Sequence, residues 1–242
     1  MIVDSHVHIK GGDYFRRQFD PDDTVRMLDA AGIDRACVFS MCLPSRESNQ
    51  LTLRAVRGRE DRLIPYAHVL PEEGELAHQE LRRAVEEWGF RGLKLHMGEI
   101  RGEVCDELLV PFLEHAARLG IPVLLDCINQ PDWALRWVEQ VPQASIIIAH
   151  LGSPLDPFMV DRFIAICQSH ENVWLDTSYS HCPWKIRDAV TYCGAHKIVF
   201  GSDGGAGFYP SSMELAKIHA YEFSEQDKGL ILGGNILGLL GD

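Results

Sequence analysis

Two histidines stand one residue apart in the run Asp4-Ser5-His6-Val7-His8. In an extended strand alternate side chains share a face, so both imidazoles point the same way, about 6.6 Å apart along the strand. Two imidazoles aimed together are half of a divalent-metal site, because neutral ring nitrogens suit zinc and similar ions. Further polar residues close other apolar runs. Lys94 and His96 fall in Gly92-Leu93-Lys94-Leu95-His96, Asp126 follows Val123-Leu124-Leu125, and His150 follows Ile146-Ile147-Ile148-Ala149. Asp176 follows Val173-Trp174-Leu175, and Asp203 follows Val199-Phe200-Gly201-Ser202. Burying charge is costly unless it is paired or metal-bound, so polar residues at the ends of so many apolar runs point to one shared site. An open position on a divalent ion binds water and lowers its pKa to about 7. A carboxylate beside that water takes its proton and later passes it to a leaving group.

These residues need elements to hold them. Short aliphatic or β-branched runs occur at Ile2–Ile9, Arg35–Met41, Leu63–Val69, Gly92–Met97, Pro122–Cys127, Ser145–His150, Val173–Ser178 and Lys197–Asp203. Helical periodicity fills the gaps at Thr24–Ala31, Leu76–Trp88, Leu108–Leu119, Phe158–Cys167 and Met213–Tyr221. The apolar stretch from Gly229 to Gly241 is short and broken and reads as a packed terminal helix. A strand and a helix repeated about every 30 residues is the βαβ unit, with parallel strands buried on both faces. Eight units in about 250 residues predict an α/β fold, the (β/α)8 TIM barrel, whose chemistry sits at the C-terminal ends of the strands. An open doubly wound sheet is the alternative, but no G-x-G-x-x-G follows the first run. No linker divides the sequence, so residues 1–242 are expected to form a single domain.

Composition narrows the partners. The formal charge is −12, which argues against nucleic acid. No apolar run approaches the roughly 18–20 residues of a membrane span. The seven cysteines are scattered without C-x-x-C and read as reduced thiols of a cytoplasmic protein. Loops after the strands are short, with room for a lid only at 10–20, 98–106 and 204–211, so a small-molecule substrate is expected rather than a polymer. A homo-oligomer is compatible with the sequence.

Taken in order, Asp4-Ser5-His6-Val7-His8, Ser48-Asn49 at the opening of the second helix, Gly92-Leu93-Lys94-Leu95-His96, Ile148-Ala149-His150-Leu151-Gly152, Asp176-Thr177-Ser178, Phe200-Gly201-Ser202-Asp203 and Gly234-Asn235 resemble the amidohydrolase superfamily. The closest resemblance is to its amidohydrolase-2 branch of metal-dependent barrel hydrolases, lactonases and non-oxidative decarboxylases. The resemblance implies His6 and His8 as metal ligands and Asp203 as ligand or general base. It implies His150 as a second-metal ligand or a catalytic group. One position departs: the branch's fifth strand usually ends in a ligand histidine, whereas here it ends in Asp126. Asp126 is then expected either to replace that histidine as an oxygen ligand or to pair with Lys94. The cofactor expected is a divalent metal, zinc first, with manganese or iron as alternatives. Lys94, His96, His181 and Arg46 are the candidate substrate-binding residues.

Several functions fit. The first is a metal-dependent hydrolase of a small amide, lactone or ester, with Asp203 as base. The second is a metal-dependent carbon–carbon lyase that decarboxylates a small acid, with Arg16, Arg46 or Arg101 in strand-to-helix loops holding a carboxylate. A metal-free binding barrel, prompted by Asp126, and a nuclease, disfavoured by the charge, complete the set.

Overall fold

The eight apolar runs become eight parallel strands of one sheet, in sequence order: β1 (Val3–Lys10), β2 (Arg35–Ser40), β3 (Leu63–His68), β4 (Gly92–His96), β5 (Val123–Asp126), β6 (Ile146–Ile148), β7 (Val173–Asp176) and β8 (Ile198–Val199). This is a computed structural model of the chain and describes residues 1–205 and 210–242. The sheet closes on itself where the Ser5 amide donates to the Phe200 carbonyl at 2.9 Å and the His8 amide to the Gly204 carbonyl at 2.8 Å. The barrel expected from the repeat is therefore the fold. β1 slips register against β2 between Asp4 and Val7 and again between His8 and Lys10. Such irregularities re-aim side chains, and here Asp4, His6 and His8 are all buried.

Helices α1 (Pro21–Ala31), α2 (Ser45–Val56), α3 (Glu75–Glu86), α4 (Asp106–Leu119), α5 (Pro131–Gln140), α6 (Pro157–Ser169), α7 (Trp184–Cys193) and α8 (Ser211–His219) follow the strands. Local chemistry sets their ends. Asp20 caps α1 by accepting from the Asp22 amide at 2.8 Å, Pro21 supplies a first turn that needs no donor, and Gly32 ends the helix at φ 70°. Asp156 and Pro157 start α6 in the same way. α2 begins three residues before Ser48, so Arg46 sits in its exposed first turn and not in a loop. α2, α5 and α7 have no counterpart in the periodic stretches. In α7 the buried set mixes Lys185 with Ile186, Ala189 and Cys193, which blurs an apolar stripe.

Two apolar layers follow from the alternation of the strands. Inside the barrel lie Cys37, Phe39, Ile64, Tyr66, Leu124 and Ile147. Alternate strand residues pack outward against the helices. The expected terminal helix is α9 (Glu225–Gly229), a π-helical turn at Leu230–Gly234 and α10 (Asn235–Leu240). Its Ile236 and Leu240 plug the barrel interior, and Asn235 Nδ2 donates to the carbonyls of Ala195 and Ile198, both at 2.7 Å. With that end filled, access is from the C-terminal ends of the strands. Among the described residues no helix is long and apolar enough to cross a membrane.

Gly152, after β6, has φ +80° and packs so closely that an added Cβ would meet the Phe163 ring at 2.1 Å. Gly152→Ala combines overpacking with a left-handed backbone and should cost about 2–4 kcal/mol. A chemical denaturation curve checks this, and an unchanged midpoint would contradict the packing described.

Candidate active site

His6 and His8 on β1 meet Asp203, just beyond β8, across the seam that closes the barrel. His8 Nε2 lies 2.8 Å and His6 Nε2 3.3 Å from Asp203 Oδ1. The three ligand atoms lie within 4.8 Å of one another, the one such group of three His, Cys, Asp or Glu residues among those described. Donors bound to one ion at 2.0–2.2 Å are roughly 3–3.5 Å apart, so the spacing suits a divalent ion. The ring of His6 is fixed from behind. Its Nδ1 donates to Asp176 Oδ2 at 2.7 Å, and Ser178 Oγ donates to the same oxygen at 2.9 Å. The Ser178 amide in turn donates to Asp176 Oδ1 at 2.6 Å. A carboxylate behind a ligand histidine sets its tautomer and leaves Nε2 with the lone pair. Burial, then the nearby Lys94 charge, push the His6 pKa well below its ordinary value, which keeps the ring neutral. Burial likewise lifts Asp176 to about 6, against the pull of the His150 charge and the Ser178 bonds.

A second group adjoins this triad. Asp126 Oδ2 lies 3.2 Å from His150 Nε2, 3.3 Å from His96 Nε2 and 3.8 Å from Lys94 Nζ. Burial alone would raise the Asp126 carboxyl, but His96, His150 and Lys94 together hold it well below the usual range. Burial would lower His150, yet its bond to Asp126 and the charges of Asp126, Asp203 and Asp176 lift it to about 9. That shift favours the protonated ring at neutral pH. Lys94 is wholly buried, and its Nζ donates to His6 Nε2 at 3.2 Å, with the Phe39 ring centroid 5.1 Å away. Asp126 and His150, expected as further ligands, thus stand in a separate ionic group, and Lys94 touches both groups.

His8, His96, Asp126, His150 and Asp203 line a cavity of about 150 Å³ together with Gly12, Ile128 and Tyr179. A protein cavity of that volume holds benzene. Gly12 was legible as half of a Gly-Gly pair directly after β1: its φ is +80° and a Cβ would meet the His8 ring at 2.7 Å. Tyr179 and Ile128 carried no sequence signal. His181 is exposed and stacks edge-on against Tyr179, 4.9 Å between centroids. Arg46 lines neither this cavity nor the cleft of about 390 Å³ beside it, where Arg16 and Arg101 face Glu72, Glu73 and Glu99. His68, which carries no signal in the sequence, is buried at the end of β3 with Nε2 at 2.9 Å from Glu99 Oε2. Of the lid segment 204–211, residues 206–209 lie outside the described residues.

Arg16, Cys42, Asn129, His150, Leu151, Tyr179 and Asp203 are the non-glycine residues with left-handed φ among those described, and each follows the C-terminal end of a strand. Such conformations cost about 1–3 kcal/mol each and persist only where surroundings hold them, most often at functional sites.

The amidohydrolase family model matches residues 3–241. The chain is 23% identical to gamma-resorcylate decarboxylase of Rhizobium radiobacter over 79% of this chain and 80% of that one. Its fold is similar to that of 2,6-dihydroxybenzoate decarboxylase from Rhizobium (TM-score 0.80, 21% identity, 99% of this chain and 98% of that chain). A dihydroxybenzoic acid decarboxylase from Polaromonas sp. JS666, with bound manganese and 2-nitroresorcinol, is also similar (TM-score 0.76, 21% identity, 99% and 96%).

The bonding of His6 makes a prediction independent of any ion. In ion-free protein its proton should reside on Nδ1, read from 15N ring shifts. Asp176→Ala should mix the tautomers, while leaving a buried donor short of its partner at a cost of roughly 1–3 kcal/mol. A proton on Nε2 in the parent protein would refute the arrangement.

Proposed function

On the premise that the chain belongs to the amidohydrolase family, we propose that it is a divalent-metal-dependent lyase that decarboxylates a small, single-ring carboxylic acid. The observation that carries this reading is the cavity of about 150 Å³, bounded by His8 and Asp203 of the triad and by His96, Asp126 and His150. A ring of benzene size fits that volume, and an ion held by the triad would favour an anionic substrate. His6, His8 and Asp203 would hold the ion, and their two imidazoles and one carboxylate suit zinc or manganese. When bound, a divalent ion there supplies Lewis acidity toward substrate oxygens.

The chain's own residues do the rest. In decarboxylation the bond to the carboxyl carbon breaks, its electron pair stays on the ring carbon, carbon dioxide leaves and a proton must reach that carbon. His150 holds a proton, with Asp126 at Nε2 and the Ser178 carbonyl 3.2 Å from Nδ1, and is the donor in this reading. Tyr179 and Ile128 give the cavity its less polar wall, and Lys94 adds positive charge beside it. The names of the similar proteins make hydroxybenzoates the first substrates to try. The remaining parts of the reading are a single domain, a cytoplasmic location and a small-molecule partner.

A second reading, hydrolysis of a small amide, lactone or ester, is favoured by Asp203. Its carboxylate stands 2.8 Å from His8 Nε2 at the cavity wall, where it can take a proton from attacking water.

The test is to load the protein with zinc or manganese and assay carbon dioxide release from 2,6-dihydroxybenzoate and related hydroxybenzoates, beside a panel of lactones, esters and amides. Release of carbon dioxide is expected. Hydrolysis without it would replace the first reading by the second. Under either, Asp203→Asn should lower turnover by roughly 100-fold or more with circular dichroism unchanged, and wild-type turnover would remove Asp203 from the chemistry.

A further inference from the structure

We infer that the Lys94 ammonium is a built-in competitor for the metal position, standing in for the ion when none is bound and yielding toward Asp126 when one is. The inference rests on the reading of His6, His8 and Asp203 as the metal-holding triad.

It starts from one lone pair. His6 Nδ1 is committed to Asp176, so Nε2 is the only ring atom with electrons to give. In this structure Nε2 receives a hydrogen bond from Lys94 Nζ at 3.2 Å. That same Nε2 belongs to the convergent triad, 3.3 Å from Asp203 Oδ1. A lone pair directed at an ammonium proton is not available to a metal ion, so the two cations exclude each other at this atom. Like charges a few ångströms apart in a buried site also repel strongly, because little water screens them.

Lys94 also has somewhere to go. Asp126 Oδ2 lies 3.8 Å from Nζ, beyond hydrogen-bond length but within one small side-chain movement. Asp126 is held ionised by its other neighbours, so it offers the ammonium a charged partner. Lys94 is wholly buried, and among the described residues its ammonium has His6 Nε2 at 3.2 Å and Asp126 Oδ2 at 3.8 Å. Both placements keep a positive charge among buried carboxylates, so the mouth keeps its shape with or without the ion. The consequence for binding is that the ion's apparent affinity is the intrinsic one reduced by the work of displacing Lys94.

The experiment compares wild type, Lys94→Met and Lys94→Gln after stripping with a chelator. The dissociation constants of Zn²⁺ and Mn²⁺ are measured by competition with a chromophoric chelator, and the thermal midpoint is recorded with and without ion. Removing the ammonium should tighten binding of both ions by at least tenfold, since the ion no longer displaces a cation. It should also lower the midpoint of the ion-free protein, with the loss recovered on adding ion. Lys94→Gln guards against a folding defect peculiar to the apolar replacement. If the variants bind as wild type does, or more weakly, Lys94 is not a competitor and the inference falls. If no ion binds to wild type or to either variant, the metal reading falls, and this inference with it.

Discussion

The seam between β1 and the chain beyond β8 is the constraint on which the site depends. Two backbone bonds, Ser5 to Phe200 and His8 to Gly204, close the barrel at the strand that carries both histidines. Asp4 reinforces the seam from inside. Its Oδ1 accepts from the His6 amide at 3.1 Å and from the Ser202 amide at 2.9 Å, tying together residues nearly two hundred positions apart in sequence. Asp4 is wholly buried, and burial raises its carboxyl to about 7 even so. Were the seam open, His6, His8 and Asp203 would lie on opposite edges of a sheet.

What the seam assembles must then be balanced electrically. Asp126, Asp176 and Asp203 converge at the mouth with Lys94 and the four imidazoles of His6, His8, His96 and His150, nearly all of them buried. No member is stable there alone, because each buried charge needs a counter-charge or a hydrogen bond. The structure divides the work. Asp176 serves the back of His6, Asp203 faces both β1 histidines, and Asp126 gathers His96, His150 and Lys94. The left-handed backbone at His150 and Asp203 is part of the same settlement, since it turns both side chains inward directly after their strands.

The barrel was legible because its parallel strands are buried on both faces and therefore read as unbroken apolar runs. Positions such as Asp126 and Asp203 stood out for the same reason: each is a polar residue that ends such a run. Helices were less legible where burial is mixed, as in α7 with Lys185 on its buried side. Arg46 was assigned to a loop because the start of α2 was placed at Ser48, whereas Pro44 precedes a helix that opens at Ser45. His68 lacked a visible partner because Glu99 lies on the next βα loop, a pairing that only the closed barrel creates. Tyr179 and Ile128 line the cavity through loop geometry, to which periodicity is blind. The ionic grouping around Asp126 was foreseen only in its Lys94 half, because distances between strand ends do not follow from sequence spacing.

Ser178 gives this arrangement a property that belongs to no single residue. Its hydroxyl lies 3.1 Å from His6 Nδ1 and 2.9 Å from His150 Nδ1 while donating to Asp176. One small side chain thus joins the ring behind the triad to the ring beside Asp126. A change of protonation at either imidazole alters what that hydroxyl can bond and so changes the field at the other. Groups joined so closely lose protons in collective steps, with apparent constants that describe the assembly. Any pH profile recorded from this site will therefore report the linked network as a macroscopic unit.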